Sequence, residues 1–240
     1  MSIANRARII GAIYLLYFVT AVGGAVIAPG TGPGGPPTDA ATNANNILSH
    51  ETAYELGIAL GVISTVLYVV LTALFYVLLR PVSRTLALVM AFLNLVAMAV
   101  VAFGSVLLLA PVAVLGGSSY LSIFDVKQLQ AMALLFLNLS AQSGRVALGF
   151  SAFFQLVWGY LIFRSTFLPR ALGVLIAAAG VGWLTYLLPA QPAIVVTATE
   201  VLGFAAEASL MLWLIVMGVN SQRWSERSAA SSERPKEAIA

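Results

Sequence analysis

The sequence predicts an all-α fold, a polytopic membrane bundle of six transmembrane helices plus short interfacial helices, with both termini cytoplasmic. Three observations carry that prediction. Of 240 residues, 60% are hydrophobic and only 9% are charged, whereas about a quarter of a soluble domain is charged. The chain contains six apolar runs, most of them near or above the roughly 20 residues a helix needs to cross a hydrocarbon core. The basic residues gather at the ends of those runs, on one predicted side.

Taken in order, Arg6 and Arg8 precede a first span over 9–28. This run is longer than a signal-peptide core, lacks a good small-residue cleavage pattern and meets Pro29 directly, so it reads as a retained span. PGTGPGGPP (29–37) is too rich in Gly and Pro for regular structure. Thr38 and Asp39 then mark the start of a short polar helix over 39–50. The second span covers 54–79, and the third, 86–109, follows the short basic turn RPVSR (80–84).

The segment from 110 to 143 is less regular. PVAVLGGSSYLSIFDVKQ reads as a loop with Tyr120 and Phe124 at interfacial height, and LQAMALLFLNLSAQ (129–142) as an interfacial helix leading into the fourth span, 145–163, near Gly144. A single straight helix over 129–163 would be about 50 Å long, well beyond the hydrocarbon thickness. A second basic turn, RSTFLPR (164–170), leads to the fifth span, 171–188, and PAQP (189–192) to the sixth, 193–219. Residues 1–220 thus form one six-span domain. The polar, mixed-charge tail 221–240 has the composition of a disordered cytoplasmic segment. With both termini inside, 10 of the 12 Lys and Arg lie on the cytoplasmic side and only Lys127 and Arg145 outside, as the positive-inside rule requires. YVLLRPVSRTLALVMA (76–91) and YLIFRSTFLPRALGVLIA (160–177) share one pattern, which fits either duplicated helical hairpins or two solutions to a tight basic turn.

Composition also narrows the chemistry. No cysteine is present, which removes disulfides, thiol catalysis and iron–sulfur ligation, and His50 is the single histidine. HETAYE (50–55) lacks the second histidine of a zinc-protease helix. No Walker loop, dinucleotide fingerprint or nucleophile elbow occurs. The expectation is therefore no cofactor, no metal and no nucleic acid, with the lipid bilayer and a hydrophobic small molecule as partners.

The sixth span carries the strongest candidates. Glu200 and Glu207 are seven residues apart, within about 20° of two full turns, so they share a stripe with Thr197 and Gly203. A carboxyl at bilayer depth costs several kcal/mol unless paired, hydrated or protonated, which makes it a functional candidate by default. Glu207 lies near mid-span and is expected to be neutral and able to donate a proton, while Glu200, nearer the outer mouth, is the second catalytic candidate on the same path. Arg145 at the outer end of the fourth span either snorkels to lipid phosphates or pairs with Glu200 at the site. Gln155 and Asn94 are polar groups near mid-depth that need partners in lipid, either as interhelical glue or as cavity lining. Tyr14 and Tyr17 place hydroxyls on one face of the first span. Phe154 and Trp158, in an aromatic run with Phe150 and Phe153, and Phe204 beside Glu207, can line an apolar pocket or stabilise a cation with their ring faces.

RARIIGAIYLL (6–16), YVLLRPVSRTLAL (76–88), GYLIFRSTFLPRALGVL (159–175) and EASLMLWLIVMGVN (207–220) together resemble a bacterial integral-membrane family of unknown function, domain of unknown function 4386. The resemblance runs from Ala7 to Asn220. It implies six spans in a bacterial cytoplasmic membrane and places Glu207 at the family's acidic position, and it supplies no activity. The chain departs from the family pattern at Glu55, where Arg is usual, and near Gln155, where His is frequent.

Three functions suit these residues. The first choice is an enzyme acting on an isoprenoid or lipid, cyclase-like, with Glu207 initiating by proton donation, and the other two are its alternatives. Another is a small proton-coupled transporter. The third is a non-catalytic membrane partner in which the acids hold the bundle together. The predicted topology is directly testable, because the native chain carries no thiol. A cysteine introduced at Val82 should react with a membrane-impermeant maleimide only from the cytoplasmic side, and one at Ser119 only from the opposite side; labelling of both from one side contradicts six spans with both termini inside.

Overall fold

The structure, a computed structural model, describes residues 2–28, 39–188 and 191–237, with side chains described as far as 231. The Gly- and Pro-rich loop at 29–37 with Thr38, and the first half of the PAQP turn, lie outside the described residues. Eight α-helices are present among the described residues: α1 (Ile3–Ile27), α2 (Ala40–Ser49), α3 (Glu51–Leu79), α4 (Arg84–Leu115), α5 (Val126–Arg164), α6 (Arg170–Leu184), α7 (Ala193–Val216) and α8 (Ser221–Glu237). Six of them, α1 and α3 to α7, are long and apolar enough to span a membrane, α6 together with the 3-10 turn that extends it to Leu187.

Side-chain distribution agrees with an apolar solvent. Each of the six long helices turns large apolar residues outward, among them Val19, Val66, Phe103, Val146, Val181 and Val201. Asn94, Gln155 and Thr72 are buried. Water selects the opposite arrangement, whereas hydrocarbon requires polar groups to find partners inside the bundle.

Three expectations need correction. The third span does not stop before Pro111; α4 runs through it to Leu115. Proline removes one N–H from the helix ladder and crowds the preceding turn, and the neighbouring carbonyl of Leu108 accepts the Tyr54 hydroxyl at 2.8 Å. Nor is there a break near Gly144, since 129–142 and the fourth span belong to one 39-residue helix, α5, which is about 58 Å long. Ser140 donates to the Gly104 carbonyl at 3.0 Å and Ser143 to the Val100 carbonyl at 3.4 Å, so this stretch is held along α4. The tail expected to be disordered is helical over 221–237. It is tied down by Trp224, whose indole N–H donates to the Leu78 carbonyl at 3.0 Å, and by Arg223, which donates to the Thr166 carbonyl at 3.2 Å. The short polar helix expected over 39–50 is α2, capped by the Asp39 carboxylate, which accepts the Thr42 N–H at 2.7 Å. The Thr42 side chain and backbone hold that carboxyl below the usual carboxylate range.

The chain divides into two compact units whose boundaries fall inside α1, α3, α4 and α5. Unit 2 comprises Leu16–Leu67 and Met98–Ala147. Its core gathers Ile47, Tyr54, Ile58, Leu108 and Leu137. There α1 and α3 approach at Gly24 and Gly57, where a Cβ on Gly24 would stand 2.9 Å from the Gly57 carbonyl oxygen.

Unit 1 comprises Met1–Leu15, Tyr68–Ala97 and Leu148–Ala240. Small residues set its helix contacts. A Cβ on Gly173 of α6 would stand 2.6 Å from the Gly159 oxygen of α5 and 2.5 Å from the Phe163 nitrogen. On α7, Gly203 leaves room for the Trp183 ring of α6. Backbone-to-backbone approach of this kind is how helices gain packing energy where the solvent is as apolar as their side chains. Gly218, at φ 67°, ends α7 by donating its N–H to the Trp213 carbonyl at 3.1 Å, a left-handed position that suits glycine.

Replacing Gly173 by Leu should therefore cost about 1–3 kcal/mol, because the atoms it meets are backbone and cannot swing away. Gly144→Ala, where nothing stands within 4 Å, should be neutral or stabilising by up to about 1 kcal/mol through helix propensity. Thermal unfolding in detergent separates the two.

Candidate functional site around Glu207

Glu207 is the fifteenth residue of α7, a helix of 24 residues. It is only partly buried itself, and three other helices of unit 1 deliver donors to its carboxyl. Tyr14 of α1 donates to Oε2 at 2.7 Å. Gln155 of α5 donates through Nε2 to Oε1 at 2.8 Å, and Tyr68 of α3 to the same oxygen at 3.3 Å. The two shorter bonds have ordinary strong geometry, and the third is longer than is usual for a hydroxyl donor and correspondingly weak.

Packed around these bonds is a cluster of five buried rings: Tyr14, Tyr68, Phe75, Phe154 and Trp158. Tyr14 meets Tyr68 and Phe75 edge-on at 6.2 and 6.0 Å, and Tyr68 meets Phe154 edge-on at 6.3 Å. Phe154 stacks on Trp158 at 5.1 Å, and Phe75 lies edge-on to Trp158 at 4.7 Å. These separations are those of favourable aromatic pairs. The rings fix the two tyrosines, and so fix where their hydroxyls point.

Two polar atoms beside this cluster lack partners among the described residues, the Gln155 Oε1 and the Trp158 indole N–H. Gln155 is 2% exposed and Trp158 fully buried. They are three residues apart on α5, hence on one face. Buried polar atoms without partners are uncommon and mark places where water or a ligand group can bond. The Gln155 Oε1 and the Glu207 carboxylate are acceptors, whereas the Trp158 indole N–H is a donor. Acceptor atoms outnumber donors at the site, which suits a ligand that donates hydrogen bonds or carries positive charge, while a bridging water can satisfy the indole N–H.

A second polar string runs beside it in unit 1. Buried Asn94 donates its amide to the Thr72 hydroxyl, which donates to the Tyr68 carbonyl at 2.7 Å. Asn94 thus reaches the Tyr68 backbone of α3 through Thr72, an interhelical link, while its Oδ1 has no partner among the described residues.

The other candidates fall elsewhere. Glu200 accepts the hydroxyl of Tyr186 at 3.0 Å. Arg145 is exposed and belongs to unit 2. Tyr17 also belongs to unit 2, its ring edge-on to Phe18 at 5.4 Å. Phe204 is 57% exposed on α7. Sequence reasoning missed Tyr68, Phe75 and Thr72. The signal was available, because Tyr68, Thr72 and Phe75 sit at i, i+4 and i+7 of the second span and so share a face.

Against known proteins, one comparison is informative: a family model described as a domain of unknown function, DUF4386, matches residues 9–218. The chain belongs to that family. No curated protein and no solved structure matches it. Family membership supplies no activity, so the arrangement around Glu207 carries whatever functional reading is made.

The hydrogen-bond lengths rank the donors. Tyr14→Phe keeps the ring and removes the shortest bond, and should lower stability by about 1 kcal/mol. Tyr68→Phe should cost less, about 0.5 kcal/mol or under. Thermal unfolding of both variants in detergent checks the order.

Proposed function

We propose that this protein is a small proton-coupled transporter, with Glu207 binding in alternation a proton and an apolar cation. One observation carries the reading: a carboxyl on an apolar helix, held by donors from three other helices, lies within a cluster of aromatic rings and beside a buried amide oxygen without a partner. A carboxylate and ring faces together recognise positive charge attached to apolar surface. Protonation of Glu207 removes the charge that holds such a ligand, which couples the two. The proposal includes the placement already expected, in a bacterial cytoplasmic membrane with both termini inside, supported by the distribution of Lys and Arg.

An enzyme acting on an isoprenoid or lipid is supported less well. Proton initiation needs Glu207 to donate towards the substrate, and the Tyr14, Tyr68 and Gln155 bonds all run towards Glu207. A second reading has its own observation in favour. Because the three donors come from three different helices, Glu207 can serve as a structural clasp alone.

Binding of tetraphenylphosphonium to the purified protein in detergent distinguishes these. Under the transport reading the wild type binds saturably, with affinity falling as pH falls because protonation removes the negative charge. Glu207→Gln retains the volume and an acceptor oxygen, so it should stay folded and lose at least tenfold in affinity. Equal binding by the wild type and Glu207→Gln, or no binding by the wild type at any pH, overturns the transport reading. A lowered melting temperature in Glu207→Gln without wild-type binding supports the clasp.

A further inference from the structure

The basic turn between α3 and α4 has a role that topology alone does not require. In unit 1 this turn and α8 together enclose a cavity of about 640 Å³, lined among others by Tyr76, Arg80, Ser83, Arg84, Arg227 and Ser231. Three arginines and four hydroxyl-bearing residues line it, and among the described residues no carboxylate does. The acid adjacent to Arg227, Glu226, accepts instead from Gln222 on α8 at 3.0 Å. Arg80 and Arg84 are exposed and Arg227 half-buried. The cavity is therefore open, and the described part of its wall carries arginines without an acid.

We propose that this cavity is a binding site for the phosphate headgroup of an anionic phospholipid. Guanidinium forks match phosphate oxygens in bidentate geometry, and hydroxyls complete the coordination. The volume far exceeds one phosphate and suits a headgroup with its glycerol. Apolar flanks point to a lipid rather than a soluble anion. Val77 on α3 and Leu88 and Val89 on α4 are exposed within about two turns of the cavity, where acyl chains can lie. The Trp224 indole, bonded to the Leu78 carbonyl, fixes α8 against the end of α3 and is the side chain favoured at a lipid–water interface. A bound headgroup would thus join α8 to the α3–α4 turn through Arg227 on one side and Arg80 and Arg84 on the other.

Arg227 is the residue to change, because Arg80 and Arg84 also contribute to the positive-inside bias. The full chain, delipidated in a neutral detergent, is titrated with short-chain phosphatidylglycerol, short-chain phosphatidylcholine and inorganic phosphate, and thermal stabilisation is read. Saturable stabilisation by phosphatidylglycerol alone is expected. Arg227→Gln should weaken it about five- to tenfold while leaving the lipid-free melting temperature unchanged, and Arg227→Lys should restore part of the loss. Equal stabilisation by phosphatidylcholine, or an unaltered response in Arg227→Gln, overturns the proposal. Inorganic phosphate acting at the same concentrations overturns the lipid assignment in favour of a soluble phosphate.

Discussion

Everything around α7 answers to one constraint, the need of the Glu207 carboxyl for partners on a helix that is otherwise apolar. An unpartnered carboxyl in that setting costs several kcal/mol. Here Tyr14, Tyr68 and Gln155 supply them from α1, α3 and α5. Satisfying one side chain therefore sets the rotational register of four helices together. The aromatic cluster follows, since Tyr14 and Tyr68 must be held still to keep their hydroxyls aimed. Phe75, Phe154 and Trp158 do this by ring packing. The same arrangement underlies the proposed function, because a carboxylate and an unshared amide oxygen among ring faces suit positive charge.

Glycine provides the other half of the construction. Gly159 and Gly173 bring α5 and α6 to backbone contact, and Gly203 admits Trp183 between α6 and α7. Neither hydrophobic burial nor propensity would hold such helices together in lipid, so close approach and a few interhelical hydrogen bonds must. At the end of the same unit, α8 is tied across the basic turns by Trp224 and Arg223. That fixes three arginines around an open cavity, where mutual repulsion alone would drive them apart.

Much of the fold is legible in the sequence, because hydropathy over about 20 residues is a strong signal. The six long helices follow from it directly. Their ends do not. Pro111 and Gly144 look like breakers, yet the helix continues through both, since bonds from Tyr54, Ser140 and Ser143 are tertiary and leave no local trace. The helical tail is another case; polar composition predicts disorder, and docking through Trp224 overrides it. At the site, Glu207, Tyr14, Gln155, Phe154 and Trp158 stand out as polar or aromatic residues on apolar helices. Tyr68 and Phe75 are marked only by the face they share with Thr72, a weak signal, because aromatic residues in a membrane span usually face lipid. Pairing Glu200 with Arg145 follows charge, whereas its hydroxyl partner Tyr186 is placed by the 3-10 turn that extends α6.

The clasp at Glu207 is measured most directly by a double-mutant cycle on thermal unfolding, with Tyr14→Phe and Glu207→Met made singly and together in the full chain. Met keeps the length of the side chain and removes its acceptor. If the Tyr14 hydroxyl and the Glu207 carboxyl are bonded, the two substitutions should be coupled by about 1 kcal/mol. Strict additivity of the two single effects would contradict a bond between them, and with it the arrangement on which the transport reading rests.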